Sequence, residues 1–200
     1  MSFESSLAAG GRLAVAGDYA WFRGVKDLSK GFCFVWVSQV TTGQVLKRMG
    51  AKELERIGWQ QMVGAGDGER VSSGKRYFGV SRLDDSWSLI VEDNGTLGTA
   101  DDLLRKLSVG TSLICLYRAA EGSGRFLLLG DQKVQLEFDP WADAKATGTR
   151  ATELAPAIAA VGGSGAEAGF ALAERVTGVP LDLAGLEKRT YLFSTVATGQ

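Results

Sequence analysis

The sequence predicts an α+β fold: a mostly antiparallel, meandering sheet of about six strands, with helices packed on it and a helical C-terminal segment. Three observations predict it. Short runs of apolar, β-branched and aromatic residues recur along the chain, several of them with period-two alternation. Segments with helical periodicity lie between these runs. The 200 residues include 27 glycines but only 3 prolines, which is typical of short elements joined by tight turns.

The N-terminal part is predicted to contain an arm, a short helix and a central strand. Residues 1–16 are small and polar enough for a flexible arm, and Asp18–Phe22 has the acidic cap and aromatic face of a short helix. Phe32–Val37 is apolar at every position, which predicts a central strand covered on both faces. Thr41 and Gln44 have the spacing of a capping box, so a helix is expected to begin there.

That helix is expected to bury Val45, Leu46 and Met49 and to end at Gly50. Ala51–Trp59 is predicted to add another helical turn or two.

A loop, a hairpin and a second helix are predicted next. Residues 64–74 are rich in glycine and polar residues and are expected to form a flexible loop. Tyr77–Ser81 and Trp87–Val91 flank turn residues and predict a hairpin. Thr99–Leu107 has the pattern of a helix capped by Thr99, with acids in its first turn and bases near its end.

Three further strands are predicted to form a meander. They are Thr111–Tyr117, Arg125–Leu129 and Lys133–Phe138, with a tight turn at Gly130-Asp131. The residues of the third strand that are expected to face the core are Val134, Leu136 and Phe138.

Composition divides the remainder of the chain. Residues 17–141 are expected to form the α+β core domain, and 142–200 an alanine- and glycine-rich helical segment packed on the same domain. Within that segment, 152–161 and 166–177 are predicted helices, and 190–196 is predicted to return as an extended segment.

Composition also excludes several classes of mechanism. The chain has no histidine, which excludes Ser-His-Asp and Cys-His catalysis and imidazole-ligated metal sites. The net charge of −1 offers no basic excess for nucleic acid. Cys33 and Cys115 give neither a disulfide framework nor metal spacing and are expected to be buried in a reducing cytosol. No signal peptide or membrane span is recognisable, so we expect a cytoplasmic protein that does not bind a membrane. We also expect no nucleic-acid partner and no cofactor.

Seven short motifs in a fixed order resemble a known family. They are Asp18–Trp21, Val45–Ala51, Trp87–Gly98, Leu107–Thr111, Arg125–Phe126, Phe138–Pro140 and Thr177–Val179. Together they are similar to the actinobacterial family of unknown function numbered 6461, over nearly the whole chain. The resemblance implies a cytoplasmic actinobacterial protein and supplies no activity. Members often carry an asparagine between the first two strands of the meander, where this chain has Ala119–Gly124, so no role of that asparagine is carried over.

Acidic residues provide one candidate site. Six acids and no base lie between Leu83 and Leu104. Those expected to converge around Gly95–Gly98 are Glu92, Asp93, Asp101 and Asp102. Such oxygen ligands suit Mg²⁺ or Ca²⁺, although turn and cap chemistry also explains all four.

Charge asymmetry and tryptophans provide another candidate site. The basic stretch 45–76 lies beside the acidic stretch 83–104, and such polarity suits a protein partner or a second copy of the chain. Trp59 and Trp141 lie beside loops, where the indole ring is either an interface anchor or a core residue. The charged candidates for this surface are Arg48, Arg56, Asp84 and Asp85.

Three hypotheses about function follow. The first is a non-enzymatic protein-interaction module that binds a protein partner or forms a homodimer. The second is an enzyme that uses carboxylates and a divalent metal, centred on Glu92 and Asp93. The third is a small-molecule sensor with its pocket between the sheet and the C-terminal helices.

Overall fold

A computed structural model describes residues 12–63 and 74–199 of the chain. In this part of the chain eight antiparallel strands form one sheet, in the order β2-β8-β3-β4-β1-β5-β6-β7. The strands are β1 (Phe32–Ser38), β2 (Lys52–Gly58), β3 (Lys75–Arg82), β4 (Trp87–Asp93), β5 (Ser112–Arg118), β6 (Gly124–Gly130), β7 (Lys133–Phe138) and β8 (Thr190–Ala197). The predicted α+β class with an antiparallel sheet is confirmed, but the sheet has eight strands rather than about six.

Helices cover both faces of this sheet. The α-helices are α1 (Thr42–Met49), α2 (Trp59–Met62), α3 (Asp101–Leu107), α4 (Ala151–Val161), α5 (Gly165–Thr177) and α6 (Leu183–Lys188). The described 3₁₀ helices are Ala16–Gly24, Lys26–Leu28 and Leu97–Thr99.

The central strand β1 divides the core into two layers, as its sequence predicts. The side chains of Phe32, Phe34 and Trp36 lie on one face, which we call the aromatic face. The other face carries Cys33 and Val35, and we call it the aliphatic face. Because strand side chains alternate, a strand that is apolar at every position is buried on both sides.

Different helices cover the two faces. On the aromatic face, Phe170 of α5 packs against Phe22 and Phe34, with ring centroids 4.8 Å and 5.0 Å away. The helices α2, α4 and α6 complete this layer. The helices α1 and α3 and the 3₁₀ helix Leu97–Thr99 pack on the aliphatic face.

The local capping signals of α1 are confirmed. The Thr41 hydroxyl accepts a hydrogen bond from the Gln44 N–H, and the Gln44 side chain accepts one from the Thr41 N–H. Gly50 ends the helix with a φ of 65°, and Val45, Leu46 and Met49 are buried.

The prediction of helical turns over Ala51–Trp59 is wrong for most of its length. Lys52–Gly58 is the edge strand β2, and only Trp59 begins the short helix α2. The strand forms because β8 pairs with it, from Lys52 opposite Thr195 to Gly58 opposite Thr190. A partner so distant in sequence overrides the local helical preference of lysine and glutamate.

Two local predictions also need correction. Helix α3 begins at Asp101, and Thr99 belongs to a 3₁₀ helix instead of capping α3. In β7 a register shift opposite Leu128 and Leu129 breaks the alternation, so Val134 packs on the aliphatic face while Leu136 packs on the aromatic face.

The C-terminal segment contributes to the same sheet as the rest of the chain. Strand β8 lies between β2 and β3, hydrogen-bonded to both. At the other end of the chain, Ala14 is buried and its carbonyl accepts a hydrogen bond from Arg175. The remainder of the predicted N-terminal arm, residues 1–11, and residues 64–73 of the predicted loop lie outside the described residues.

Candidate functional site

The candidate site lies where β3 and β4 separate. Their ladder runs from Arg82 opposite Ser88 to Gly79 opposite Val91. Beyond that pair, β3 stays with β8 as far as Lys75, whereas β4 stays with β1 as far as Asp93. The two strands therefore diverge within the sheet.

A cavity of about 190 Å³ occupies this gap, and we call it the β3–β4 cavity. Its lining residues are Met62, Lys75, Arg76, Tyr77, Phe78, Val91, Glu92, Asp93, Gly95, Thr96, Phe193 and Thr198. They include Phe193 from the aromatic face and Phe78 from the aliphatic face. Access to both layers requires a gap in the ladder, because a continuous sheet would separate them.

Gly79 marks the point of divergence for a steric reason. A Cβ atom at this position would lie 2.0 Å from the sulfur of Met62 and 3.0 Å from Cβ of Tyr191. The missing side chain lets Met62 pack directly on β3 and close the cavity from the aromatic face.

Glu92 is the buried polar residue of the cavity. It shares the aliphatic face with Ile90 by strand alternation and is only 1% exposed. Its Oε2 accepts a hydrogen bond of 2.8 Å from the Leu97 N–H, which fixes the loop after β4. Burial raises the pKa of Glu92 to about 7, and the Leu97 hydrogen bond and the Arg76 charge limit the rise. At neutral pH the carboxyl group therefore exists in both protonation states.

The loop after β4 is shaped around this carboxyl group. A Cβ atom at Gly95 would lie 2.0 Å from both Cδ and Oε1 of Glu92. Only glycine lets the loop pass this close to the Glu92 carboxyl group, because any other residue would place its Cβ on that group.

Two cations line the opposite wall. Lys75 is exposed and Arg76 is half-buried on β3. The Nε of Arg76 donates a hydrogen bond of 3.1 Å to the Thr96 hydroxyl, across the mouth of the cavity. Within residues 12–63 and 74–199, neither cation forms an ion pair within 4.0 Å.

Buried thiol and phenol groups lie near Glu92. The sulfurs of Cys33 and Cys115 are 3.6 Å apart, and both side chains are buried and free, as expected from the sequence. Burial raises the pKa of Cys33 and that of Tyr117, so both stay neutral while Glu92 titrates.

The structure does not bring the four predicted metal ligands together. Glu92 and Asp93 are adjacent on β4, so their side chains leave opposite faces of the sheet. Asp101 is bound by Arg125, whose Nη1 lies 2.6 Å from Oδ1, and Asp102 is exposed. Over the described ranges no three cysteine, aspartate or glutamate side chains are placed to hold a metal ion.

Arg125 explains why Asp101 is unavailable. Besides Asp101, its guanidinium group donates hydrogen bonds to the Gly98 carbonyl at 3.0 Å and to Glu137 at 2.7 Å. It connects the start of α3 to strands β6 and β7.

Three residues proposed for a protein interface have structural roles. Trp59 is 2% exposed and packs in the aromatic layer, so its core interpretation is correct. Trp141 is half-buried, and Arg118 lies over its ring at 4.7 Å. Arg48 joins α1 to the end of α3 through hydrogen bonds to the carbonyls of Leu107 and Val109.

The other three interface candidates are exposed but belong to different parts of the surface. Arg56 lies on β2 and is 3.5 Å from Glu53. Asp84 and Asp85 lie in the β3–β4 turn, where Asp84 accepts hydrogen bonds from the backbone of Ser86 and Trp87.

A second groove of about 500 Å³ lies beside α4 and α5. It runs between the segment 138–144 and the loop Gly162–Ser164. Its walls include Trp141, Ile158 and Leu172, and the third sequence hypothesis, a pocket near the C-terminal helices, corresponds to this region.

Sequence reasoning assigned Lys75 and Arg76 to a basic interaction surface and did not place them in one site with Glu92. The burial of Glu92 could have been predicted, because Ser88, Ile90 and Glu92 alternate along β4 and therefore share one buried face. No local pattern indicates where two strands of a sheet diverge.

The sequence matches the model of a family of unknown function, DUF6461, over residues 12–200. The chain belongs to the DUF6461 family. The matched range includes every residue that lines the β3–β4 cavity. No curated protein and no solved structure matches this DUF6461 chain. None of its described helices is both long and apolar enough to cross a membrane.

Proposed function

We propose that this protein binds a small molecule in the β3–β4 cavity. The observation that carries the proposal is a buried carboxyl group, Glu92, lining a cavity that also holds two cations without ion-pair partners among the described residues. Small-molecule sites are typically concave and mostly apolar, with a few placed polar groups. The β3–β4 cavity combines an apolar part, which includes Met62, Val91 and Phe193, with four charged side chains.

Its size defines the ligands that fit. A cavity of about 150 Å³ holds a benzene molecule. The β3–β4 cavity, at about 190 Å³, therefore accepts a ring or a short branched chain with one polar group.

The test is a thermal-shift measurement with a blocked cavity. Three probes of similar size, benzoate, benzyl alcohol and benzylamine, cover the three charge states. A ligand at about 100 times its Kd stabilises the folded state by about 2.7 kcal/mol and so raises Tm by several degrees. We expect at least one probe to raise Tm, and Thr96→Tyr, which fills the mouth, to abolish the shift.

Thr99→Tyr is the matched control, because Thr99 is exposed in the 3₁₀ helix that directly follows Thr96 but does not line the cavity. It should keep the shift. The proposal is wrong if none of the three probes raises Tm, or if the shift survives in Thr96→Tyr.

A protein partner or homodimer is the second proposal, and it concerns the edge strand β2. Its Leu54 is 44% exposed, and residues 52–56 are all exposed. At the opposite edge, residues 147–150 hydrogen-bond to β7 and cover it. The bulge near Leu54 and the neighbouring charges hinder strand addition, so a partner would contact the side chains of β2.

Sedimentation of the protein should show a dimer, and Leu54→Glu should dissociate it. A monomer at every concentration would argue against self-association.

A further inference from the structure

The two cations that line the β3–β4 cavity are not paired with its two acids. Lys75 and Arg76 have no ion-pair partner among the described residues, and the hydrogen bond of Arg76 to Thr96 uses only its Nε. Of the two acids, Asp93 already has an interaction partner, and Glu92 already accepts a hydrogen bond from the Leu97 N–H. Within the described residues, the terminal nitrogens of the Arg76 guanidinium group are therefore available to an anionic ligand.

We propose that the ligand is a small organic acid whose carboxylate binds the guanidinium group of Arg76 and whose apolar body packs against Met62 and Phe193. This inference rests on the proposed function and specifies its ligand class. Arginine and lysine form charge-assisted hydrogen bonds with carboxylates, and these are stronger than neutral ones.

The apolar body has a matching surface. Met62 and Phe193 are buried in the aromatic layer, and Tyr77 stacks on Phe193 with ring centroids 5.9 Å apart. These side chains line the cavity from the aromatic face. A flat or branched apolar group fits there, while its acid group reaches Arg76 through the gap between β3 and β4.

The protonation state of Glu92 determines whether the cavity binds the acid. In its protonated form it can donate a hydrogen bond from the carboxyl group to the bound anion; in its ionised form it repels that anion. The ionisable groups near it are Arg76 from β3, Cys33 from β1 and Tyr117 from β5; burial raises the pKa of the Cys33 thiol and of the Tyr117 phenol, so both stay neutral while Glu92 titrates. Binding of the acid should therefore require the protonated state of Glu92.

The affinity of benzoate, measured by calorimetry at about pH 6 and about pH 8, tests this requirement. Only protein with protonated Glu92 is competent, so the apparent Kd should rise about tenfold between these pH values. Glu92→Gln keeps an acceptor for the Leu97 N–H and a donor for the ligand, and its affinity should not change with pH.

The role of Arg76 is tested separately. Arg76→Gln should weaken benzoate binding by about tenfold or more, as expected for a lost charge-assisted hydrogen bond. Arg56→Gln is the matched control, because Arg56 is an exposed arginine outside the cavity, and it should bind as the wild type does.

The outcomes separate this inference from the proposed function. If benzyl alcohol or benzylamine binds more tightly than benzoate, and Thr96→Tyr abolishes that binding, the cavity is a binding site but the ligand is not an acid. A benzoate affinity that is independent of pH in the wild type, or unchanged in Arg76→Gln, also overturns the inference. If no probe binds, both the inference and the proposed function are wrong.

Discussion

At the scale of single residues, Glu92 makes the stability of the folded protein depend on pH. Burial raises its pKa from 4.5 to about 7 in the folded state, which corresponds to about 3 kcal/mol. Because the folded pKa is the higher one, folding favours the protonated carboxyl group. Its contribution to stability is complete below about pH 4.5 and is lost as the pH rises to about 7.

We therefore predict that Glu92→Gln removes this loss. The wild-type free energy of unfolding should fall by about 3 kcal/mol between about pH 4.5 and pH 7, relative to that of the variant. Urea unfolding across this range measures both. The exposed control Glu55→Gln should follow the wild type, and parallel curves for wild type and Glu92→Gln would contradict the prediction.

Gly95 is the second residue whose identity matters to the site. Gly95→Ala places a methyl group on the Glu92 carboxyl group and should lower the free energy of unfolding by about 2 kcal/mol, the usual cost of overpacking. Gly43→Ala in α1 is the control, since a Cβ there meets nothing within 4 Å and should stabilise the helix slightly. Equal effects in chemical denaturation would show that the close approach at Gly95 is not rigid.

The roles of single residues could be predicted from the sequence when they depend on neighbouring residues in the chain. The capping box at Thr41 and Gln44 involves residues in one helical turn, and the sequence predicts it correctly. The alternation in β4 places Glu92 on a buried face in the same way. The role of Arg76 depends on a gap between two strands, which no neighbouring residue encodes.

At the scale of elements, α1 and α3 form a unit on the aliphatic face that depends on Arg48. Its Nη1 donates to the carbonyls of Leu107 at 2.6 Å and Val109 at 2.8 Å, which satisfies acceptors at the end of α3. A cation at a helix C-terminus also interacts favourably with the helix dipole.

Arg48→Met keeps the apolar stem but loses these donors, so it should lower the free energy of unfolding by about 1–3 kcal/mol. The adjacent Lys47 is exposed, and Lys47→Met should change stability by less than about 0.5 kcal/mol. Urea unfolding of the two variants provides the comparison. Similar losses in both would exclude a specific role for Arg48.

The sequence predicts a helix or strand correctly when the contacts that stabilise it come from residues nearby in the chain. The meander strands pair with their sequence neighbours, and the sequence predicts all three. The strand β2 resembles a helix in sequence and becomes a strand only because β8, from the end of the chain, lies beside it. That contact is long-range, which explains both the wrong prediction for Ala51–Trp59 and the undercount of strands.

At the scale of the whole molecule, the C-terminal segment is part of the core. The strand β8 separates β2 from β3, and Phe170 of α5 fills the aromatic layer. A chain that ends at Trp141 would leave β2 and one edge of β3 unpaired and that layer open to water.

We predict that the fragment 1–141 shows no cooperative unfolding transition, because it lacks both β8 and α5. Thermal melts followed by tryptophan fluorescence test this. Adding the separate fragment 142–200 should restore a transition if the two fragments reassemble the sheet. A sigmoidal melt of 1–141 alone would show that the C-terminal segment is dispensable.

The central claim is that the β3–β4 cavity is the ligand site, and the groove beside Trp141 is its competitor. The most direct measurement is an amide NMR titration of the full chain with benzoate at about pH 6, where Glu92 is mainly protonated. We predict saturable shifts that are largest at Arg76, Thr96 and Leu97. Shifts centred on Trp141 and Ser164, or no saturable shift at all, would contradict the claim.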